Sequence, residues 1–247
     1  MTNLNIISID IGLRNLGICK ESYPIQQIIN TKNPSQFYDN KGSALPDMNR
    51  FIKDIGKYGS LIYWERKDLG DKKCFHAGHS YITLIEWLDN LYTSGLFDDV
   101  HTILIEQQMK TNNIAISIMH HIHSYFVIKY KMYKQIILYQ SKNKTRVLGA
   151  SLAEEKNGKL IKISKYQRKT WSVRYITDLL NCRKDEKSLK TLSLEKKKDD
   201  LCDVIAQLLS YVVQEVCKEK NIKLQFTTLR KTKNYFKSNK EMLLNCK

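Results

Sequence analysis

Four acidic residues in three separate segments carry the clearest chemical signal in this chain of 247 residues. Asp10 ends one apolar run, shortly before Gly12, and Glu106 ends a second apolar run. Asp200 and Asp203 lie three residues apart at the start of a long helical pattern. A carboxylate at the end of a buried strand costs free energy unless a cation meets it, and carboxylate oxygens are preferred ligands of Mg²⁺. The four acids therefore predict a metal site for phosphodiester chemistry.

Each acid also has an ordinary structural explanation. A strand-ending Asp followed closely by a Gly commonly forms a turn. A Glu after an apolar strand is usually solvated at the sheet edge, and an acid at a helix start usually faces the helix macrodipole. The combination of all four acids in one basic chain favours the metal site.

The acidic helix start leaves two assignments open. A spacing of three places Asp200 and Asp203 on one helical face, where their mutual repulsion would be relieved by a cation. Asp199 lies in the same first turn and is then the N-cap or the partner of the helix dipole. Alternatively Asp200 is the cap, and Asp199 and Asp203 are ligands at i, i+4 spacing. We adopt the pair Asp200 and Asp203.

The elements that position these acids follow from the apolar patterns. Strands are predicted at residues 4–11, 16–20, 61–64, 102–106 and 135–139, the second as the hairpin partner of the first. Helices are predicted around 84–91 and, approximately, at 112–131, 167–181 and 199–218. The other stretches are predicted as mostly loop at 21–60 with a strand near 25–29, a lysine-rich hairpin or loop at 142–165, and a mobile charged linker at 183–198. This order predicts one α/β domain with a mixed sheet.

The charge of the chain is strongly asymmetric. Lys and Arg number 41 against 25 acidic residues, a net charge of +16. Residues 1–141 hold 15 basic and 13 acidic residues, whereas residues 142–247 hold 26 basic and 12 acidic residues. Such an imbalance predicts a polyanionic partner, with nucleic acid favoured over a surface that is merely solubilised by lysine.

The remaining composition limits the class of protein. No stretch approaches the roughly 20 apolar residues of a membrane span, and residues 1–8 do not form a secretory signal. We therefore expect no membrane association. The six cysteines contain no C-x-x-C pair and predict reduced thiols in an intracellular compartment.

Three segments together resemble a known family. SIDIGLRNLG, ILIEQQ and KKDDLCDVIAQLL resemble the signature segments of RuvC-like Holliday junction resolvases. The likeness is greatest to the branch of poxviruses and other large DNA viruses and to the fungal mitochondrial resolvases. A fourth segment, RKTWSVRYITDLL, resembles the basic segment that leads into a helix of that family. The segments near 21–75 and 142–165 match no part of that family and are interpreted as insertions in a nuclease domain at 1–220. Residues 221–247, which are rich in Lys and Arg, are interpreted as a basic C-terminal tail.

This resemblance implies an RNase H-like fold, with a mixed central sheet flanked by helices. It implies a crossover junction endodeoxyribonuclease that resolves four-way (Holliday) junctions by paired symmetric nicks and acts as a homodimer on branched DNA. By matching positions, the catalytic and metal-binding carboxylates are Asp10, Glu106, Asp200 and Asp203. Two Mg²⁺ ions per active site are expected, with Mn²⁺ as a substitute, and no organic cofactor.

The resemblance also implies where DNA binds and where the protein acts. Lys169 matches the position where the family has basic residues near the scissile phosphate. The side chains expected to contact the nucleic acid, through phosphates rather than bases, are Lys162, Lys165, Arg168, Lys169, Lys197 and Lys198. The expected location is intracellular, in a viral factory or host cytoplasm if the source is a virus, with the mitochondrion as the alternative.

Three other functions remain as alternatives. The segment DIGLRNLG also resembles the phosphate loop of sugar-kinase and actin-like ATPases, but ten glycines with none clustered near the C-terminus do not supply the adenosine motif of that class. Another nuclease of the RNase H fold, a ribonuclease or a transposase-type enzyme, fits the four acids equally well. A protein that binds branched DNA without cutting it is disfavoured by the complete set of acids.

Overall fold

A five-stranded mixed sheet forms the centre of the computed structural model, which describes residues 3–157 and 159–226. Its strands are β1 (Asn3–Asp10), β2 (Leu16–Pro24), β3 (Ser60–Lys67), β4 (Thr102–Gln107) and β5 (Gln135–Gln140). Their order across the sheet is β3-β2-β1-β4-β5. The first three strands pair antiparallel, and β4 and β5 continue the sheet parallel to β1. The predicted α/β class with a mixed central sheet is confirmed, and this arrangement is the RNase H-like fold.

Helices cover both faces of the sheet. They are α1 (Ile25–Ile29), α2 (Pro46–Lys57), α3 (Lys72–His76), α4 (His79–Thr93), α5 (Asn113–Tyr130), α6 (Lys142–Val147), α7 (Lys165–Arg183), α8 (Glu186–Leu194) and α9 (Lys198–Glu219). A separate hairpin, β6 (Ala153–Lys156) and β7 (Lys159–Lys162), lies between α6 and α7. Because neighbouring residues of a strand face opposite sides, Ile6 packs with α2, α7 and α9, whereas Ile7 packs with α4 and α5.

The prediction of mostly loop for residues 21–60 is correct for 30–45 and wrong for much of the rest. This segment completes β2, and the expected strand near 25–29 is the short helix α1. The longer helix α2 buries Met48, Phe51, Ile52 and Ile55, which have helical spacing. All three prolines of the chain lie in this segment, which favoured a loop. Pro46, however, lies in the first turn of α2, where the backbone N–H that proline lacks would have no partner within the helix.

Two further segments are more ordered than the sequence predicted. The prediction of a mobile charged linker at 183–198 was wrong, because helix α8 forms there. Leu192 of this helix is buried, and the Asp185 carboxylate accepts a hydrogen bond from the Ser188 backbone N–H. The lysine-rich stretch at 142–165 begins with helix α6 before the expected hairpin. The other predicted strands and helices are confirmed at their positions.

The predicted insertions and tail contribute to the same fold. β3 belongs to the segment 21–75 and pairs with β2 in the central sheet. At the start of the predicted tail, Ile222, Leu224 and Phe226 pack against the core, and residues 227–247 lie outside the described part of the chain. Within that part, the five cysteines are free thiols, and no helix is long and apolar enough to cross a membrane. Cys246 lies outside it.

A buried ion pair joins the sheet to the end of α7. Glu21 of β2 is fully buried, and Arg183 Nη1 donates a hydrogen bond of 2.5 Å to its Oε1. Tyr23 Oη donates to Glu21 Oε2 at 2.6 Å, and Arg183 Nε donates to the Gly56 carbonyl at 2.8 Å. The carboxylate and the guanidinium are therefore held by partners from the sheet, α2 and α7.

We predict that Glu21→Gln lowers the free energy of unfolding by about 3 kcal/mol, because it leaves the Arg183 guanidinium buried without a counter-charge. Urea denaturation of both proteins measures the difference. The matched control is Glu215→Gln, which breaks an exposed ion pair with Lys218 within α9 and should cost less than about 1 kcal/mol. Equal losses in the two variants would show that the buried pair does not tie α7 to the sheet.

Candidate metal site

Asp10 and Glu106 meet at one edge of the central sheet. β1 and β4 are parallel neighbours, and Ile9 lies opposite Ile105 in their register. The residues that follow this pair, Asp10 and Glu106, therefore lie side by side at the ends of these two strands. Each of them is only 9% exposed, so both carboxylates lie in the protein rather than in solvent.

Helix α9 brings Asp203 to the same edge. Its apolar side is buried over most of its 22 residues, which fixes the helix on the sheet. One turn after Asp203, Gln207 is fully buried, and its Nε2 donates to Ser8 Oγ at 3.0 Å and to the Ile9 carbonyl at 3.1 Å. These bonds set the position of α9 relative to the end of β1.

The approach of α9 to the sheet requires a glycine in β2. A Cβ atom on Gly17 would lie 2.8 Å from Val204 Cγ1 and 3.2 Å from the Asp200 carbonyl oxygen. Real Cβ atoms do not approach other atoms at the first of these distances, so a larger residue would push the first turns of α9 away from Asp10. Gly17 therefore helps to determine how close the acids of α9 lie to those of the sheet.

A lysine that the sequence analysis did not identify lies among these acids. Lys144 of α6 is only 7% exposed. Its Nζ lies 2.7 Å from Asp10 Oδ1, 3.0 Å from Glu106 Oε1 and 3.6 Å from Asp203 Oδ2. The ammonium is thus at the point where carboxylates from β1, β4 and α9 converge. We name Asp10, Glu106, Asp203 and Lys144 the acidic cluster.

The place of Lys144 follows from the topology. β5 is parallel to β4, so the residues after β5 begin at the sheet edge where Asp10 and Glu106 lie. The sequence alone shows several basic residues directly after β5, and nothing in their pattern selects Lys144. The parallel order of β1, β4 and β5 is the signal that would have identified the segment after β5 as part of the site.

The charges of the acidic cluster are incompletely compensated. Burial raises the pKa of Asp10 well above its ordinary value, and the charges of Glu106 and Asp203 add to this effect against the opposing ammonium. Burial also disfavours the charged form of Lys144, but the three carboxylates outweigh it and hold the lysine pKa well above its ordinary value. One ammonium therefore faces three carboxyl groups.

Two neutral side chains orient the carboxylates of the cluster. Ser172 Oγ of α7 donates to Asp203 Oδ1 at 2.9 Å, and the other oxygen of Asp203 faces Lys144. Gln108 Nε2 donates to Glu106 Oε2 at 2.6 Å, and the other oxygen of Glu106 faces Lys144. Each carboxylate thus keeps one oxygen directed at the centre of the cluster.

Asp199 and Asp200 lie beside the cluster, next to Lys169. The Lys169 ammonium contacts the Asp199 carboxylate and lies 3.9 Å from Asp200 Oδ1. Burial and the neighbouring charge of Asp199 raise the pKa of Asp200. Asp200 Oδ2 is buried and has no hydrogen-bond partner among the residues that the structure describes. Both acids are thus ion-paired with Lys169, Asp199 more closely, and Asp200 keeps one oxygen that has no hydrogen-bond partner among these residues.

The structure therefore brings three of the four predicted carboxylates together around Lys144 and places Asp200 with Asp199 and Lys169. In the described ranges, no group of three or more His, Cys, Asp or Glu side chains is arranged to hold a metal ion as it stands. The donor chemistry nevertheless fits a hard divalent cation, because the ligands are carboxylates and the Asp200 Oδ2 atom lacks a partner.

The six predicted nucleic-acid contacts lie on segments that lead into α7 and α9. Lys162 ends β7, and Lys165 begins α7. Arg168 and Lys169 follow in α7, and Lys197 and Lys198 precede the acids of α9. Of the six, only Lys169 is in an ion pair with an acid of the described residues. The other five form no ion pair with a carboxylate of the described residues.

The chain resembles proteins of two iridescent viruses in sequence. It is 31% identical over 144 residues to Uncharacterized protein 170L of Invertebrate iridescent virus 6, a match that covers 54% of this chain and 58% of that protein. It is 32% identical over 152 residues to Uncharacterized protein 97L of Invertebrate iridescent virus 3, which covers 62% of this chain and 65% of that protein. The chain thus spans about three fifths of these relatives. No family model matches it.

Solved structures of resolvases resemble the chain in fold. The yeast mitochondrial Holliday junction resolvase Ydc2 matches 87% of this chain and 82% of its own with a TM-score of 0.50 and 15% identity. The fowlpox virus resolvase in complex with Holliday junction DNA matches 89% of this chain and all of its own with a TM-score of 0.48 and 17% identity. At the level of the fold, the resemblance found in the sequence is confirmed: this chain is similar to the mitochondrial resolvase.

Proposed function

We propose that this chain is a divalent-metal-dependent endonuclease that resolves four-way DNA junctions. The observation that carries the proposal is the acidic cluster at the carboxyl edge of an RNase H-like sheet. Buried carboxylates that repel one another are costly to maintain for stability alone, and they are suited to binding metal ions. The mitochondrial resolvase of similar fold and the basic second half of the sequence support a branched-DNA substrate.

The proposed metal ligands are Asp10, Glu106, Asp200 and Asp203, with two Mg²⁺ ions per site and Mn²⁺ as a substitute. Bound metal ions supply an activated water and stabilise the leaving oxygen in the hydrolysis of a phosphodiester. The chain itself holds its carboxylates in place through Ser172 and Gln108. Lys144 compensates part of the negative charge at the point where these carboxylates converge.

The basic residues near α7 and α9 are proposed to bind the phosphates of the junction arms, since five of the six form no ion pair within the described ranges. Lys169 would lie near the scissile phosphate. We further propose a homodimer, because paired symmetric nicks require two sites related by symmetry. The proposed location is intracellular, where DNA is replicated or recombined. The division into a domain at 1–220 and a basic tail at 221–247 belongs to the same proposal, with Ile222, Leu224 and Phe226 at the start of that tail packed against the core of the domain.

A second candidate is another nuclease of the same fold, which would cut an RNA–DNA hybrid or a linear duplex. The same acidic cluster favours it, because carboxylates bind metal ions whatever the nucleic acid. The substrate distinguishes the two candidates, so the first experiment includes both kinds of substrate.

We predict that the purified protein cuts a synthetic four-way junction with Mg²⁺ and introduces nicks at symmetric positions in two strands. Asp10→Asn should abolish cutting, because it removes a carboxylate charge from the acidic cluster, and EDTA should do the same. Gel analysis of end-labelled strands measures both results. Equal cleavage rates on plain duplex or on an RNA–DNA hybrid would refute the proposed preference for four-way junctions. Absence of cleavage on every substrate would refute the proposed nuclease activity.

The acidic helix start gives a second prediction. Asp200→Asn should reduce the junction cleavage rate more than about 100-fold, because the loss of a proposed metal ligand should exceed the cost of losing an outer-shell partner, which is about 10- to 100-fold. Asp199→Asn should reduce it less than about tenfold, because Asp199 is not a proposed metal ligand and its carboxylate is the closer partner of the Lys169 ammonium. Single-turnover rates under saturating protein measure both. The reverse order of losses would assign Asp199, rather than Asp200, as the partner of Asp203.

A third prediction concerns Lys144. Lys144→Met leaves the carboxylates of the cluster without their ammonium, so the free energy of unfolding in EDTA should fall by about 3 kcal/mol. Because a metal ion bound to the folded state stabilises it, Mg²⁺ should raise the unfolding temperature more in this variant than in the unmodified protein.

Lys20→Met is the matched control for this experiment. Lys20 is also buried, and its Nζ contacts Asp99 and the Leu96 carbonyl rather than the acidic cluster. This variant should lose stability without a larger response to Mg²⁺. A response to Mg²⁺ that is the same in both variants would show that Lys144 does not share its carboxylates with a metal ion.

A further inference from the structure

Helix α6 carries Lys144 but is too short to hold it unaided. It contains six residues, Lys142–Val147, fewer than two turns, and isolated helices of this length do not persist in water. Lys144 also has a long, flexible side chain, so the position of its ammonium depends on where the backbone of α6 lies. Contacts from elsewhere in the chain must therefore fix this helix.

The loop at 35–45 provides the first of these contacts; we name it the brace loop. Tyr38 Oη donates a hydrogen bond of 2.7 Å to the carbonyl of Val147, the last residue of α6. The last carbonyls of a helix have no partner within the helix, so this bond satisfies a group that would otherwise lack one. Tyr38 thus caps α6 from a segment more than 100 residues away in sequence.

The brace loop also meets the chain directly after α6. The Ala44 backbone N–H donates to the Gly149 carbonyl at 3.2 Å. Gly149 has a φ of 73°, and a Cβ atom built on it would lie 2.3 Å from Ala44 Cβ. A side chain at this position would therefore both strain the backbone and collide with the brace loop. The end of α6 and the brace loop pack backbone against backbone.

A layered contact of three side chains completes the attachment. The ring of Phe226 stacks on that of Tyr38 with centroids 5.5 Å apart and an interplanar angle of 29°. On Phe226 lies the guanidinium of Arg146, 4.2 Å from the ring centroid. Arg146 belongs to α6, two residues after Lys144. Phe226 therefore connects the brace loop to α6 through an aromatic stack and a cation–π contact.

We propose that Tyr38 and Phe226 are positioning residues that hold α6 so that Lys144 remains among the carboxylates of the acidic cluster. Neither residue touches the cluster, and both act through α6. Their relevance to cleavage rests on the function proposed above, whereas their effect on Lys144 does not. Phe226 lies a few residues after α9, the helix that carries Asp203. One C-terminal segment therefore positions both an acid of the cluster and, through α6, Lys144.

The experiment measures how easily an amine-reactive acylating reagent modifies Lys144 in the full-length protein in EDTA, with quantification by peptide mass spectrometry. Lys20 in the same sample is the internal reference, because it is also buried and ion-paired but lies in β2, away from α6. The ratio of the two modification rates separates a local movement of α6 from unfolding of the whole protein.

The variants are Tyr38→Phe, which removes only the hydroxyl bonded to Val147, and Phe226→Ala, which removes the stacked ring. Phe226→Tyr retains the ring and serves as the conservative replacement. Tyr125→Phe is the matched control, because it also loses a hydroxyl hydrogen bond of 2.7 Å, to Asp89, on the opposite face of the sheet.

We expect Lys144 to be modified several-fold faster in Tyr38→Phe and Phe226→Ala, with Lys20 unchanged. In Phe226→Tyr and Tyr125→Phe, Lys144 should be modified at the same rate as in the wild-type protein. An equal rise at Lys144 and Lys20 would overturn the proposal, because it would mean that the contacts only stabilise the fold. No rise at Lys144 in either variant would overturn it as well.

Cleavage then tests the consequence for the reaction. In Tyr38→Phe and Phe226→Ala the single-turnover rate on the junction should fall, with the binding of the junction unchanged. An unchanged rate despite faster modification of Lys144 would overturn the link between α6 and the reaction. If the wild-type protein cuts no nucleic acid, the proposed function is refuted, whereas the effect of Tyr38 and Phe226 on the acylation of Lys144 still stands.

Discussion

The repulsion between carboxylates that share one buried edge of the sheet is the constraint on which the rest of the structure depends. Asp10, Glu106 and Asp203 come from three different elements, and each would be more favourably placed in water. The Lys144 ammonium compensates part of their charge, and Ser172 and Gln108 hold the outer oxygens. Such an arrangement persists only if the surrounding elements are held firmly enough to prevent the acids from separating.

The packing of α9 supplies much of that firmness. Most of its residues are buried against the sheet, and burial of this kind is the main favourable contribution to folding. Gln207 then fixes the height of the helix through two hydrogen bonds to β1, and Gly17 permits its close approach to β2. The apolar surface of one helix thus balances the electrostatic cost at its first turns.

Much of the fold and part of the site could be predicted from local patterns. Asp10 and Glu106 end short apolar runs that are typical of buried strands. The helical spacing of apolar residues in α9 predicted both the helix and the position of Asp203 near its start. Lys144 could not be predicted, because its burial depends on the parallel pairing of β4 and β5 rather than on its neighbours in sequence. Helix α2 was missed because its segment is rich in Pro, Asn, Ser, Gly and Asp, a composition typical of loops, although Pro46 is compatible with the first turn of a helix. Asp199 and Asp200 are adjacent in one helical turn, and they differ in how closely they contact Lys169. The position of Lys169, on another helix, cannot be inferred from any local pattern.

The hydrogen bond between Gln207 and Ser8 joins residues 199 positions apart, and this separation has a consequence for synthesis of the chain. β1 is made before the helix that covers one of its faces, and most of the other described elements are made between the two. Long-range contacts of this kind form late and slowly. During translation, the face of the sheet around Ile6 therefore lacks its principal cover, and Asp10 lacks Asp203 beside it. The acidic cluster can assemble only after α9 has left the ribosome, so incomplete chains do not carry it.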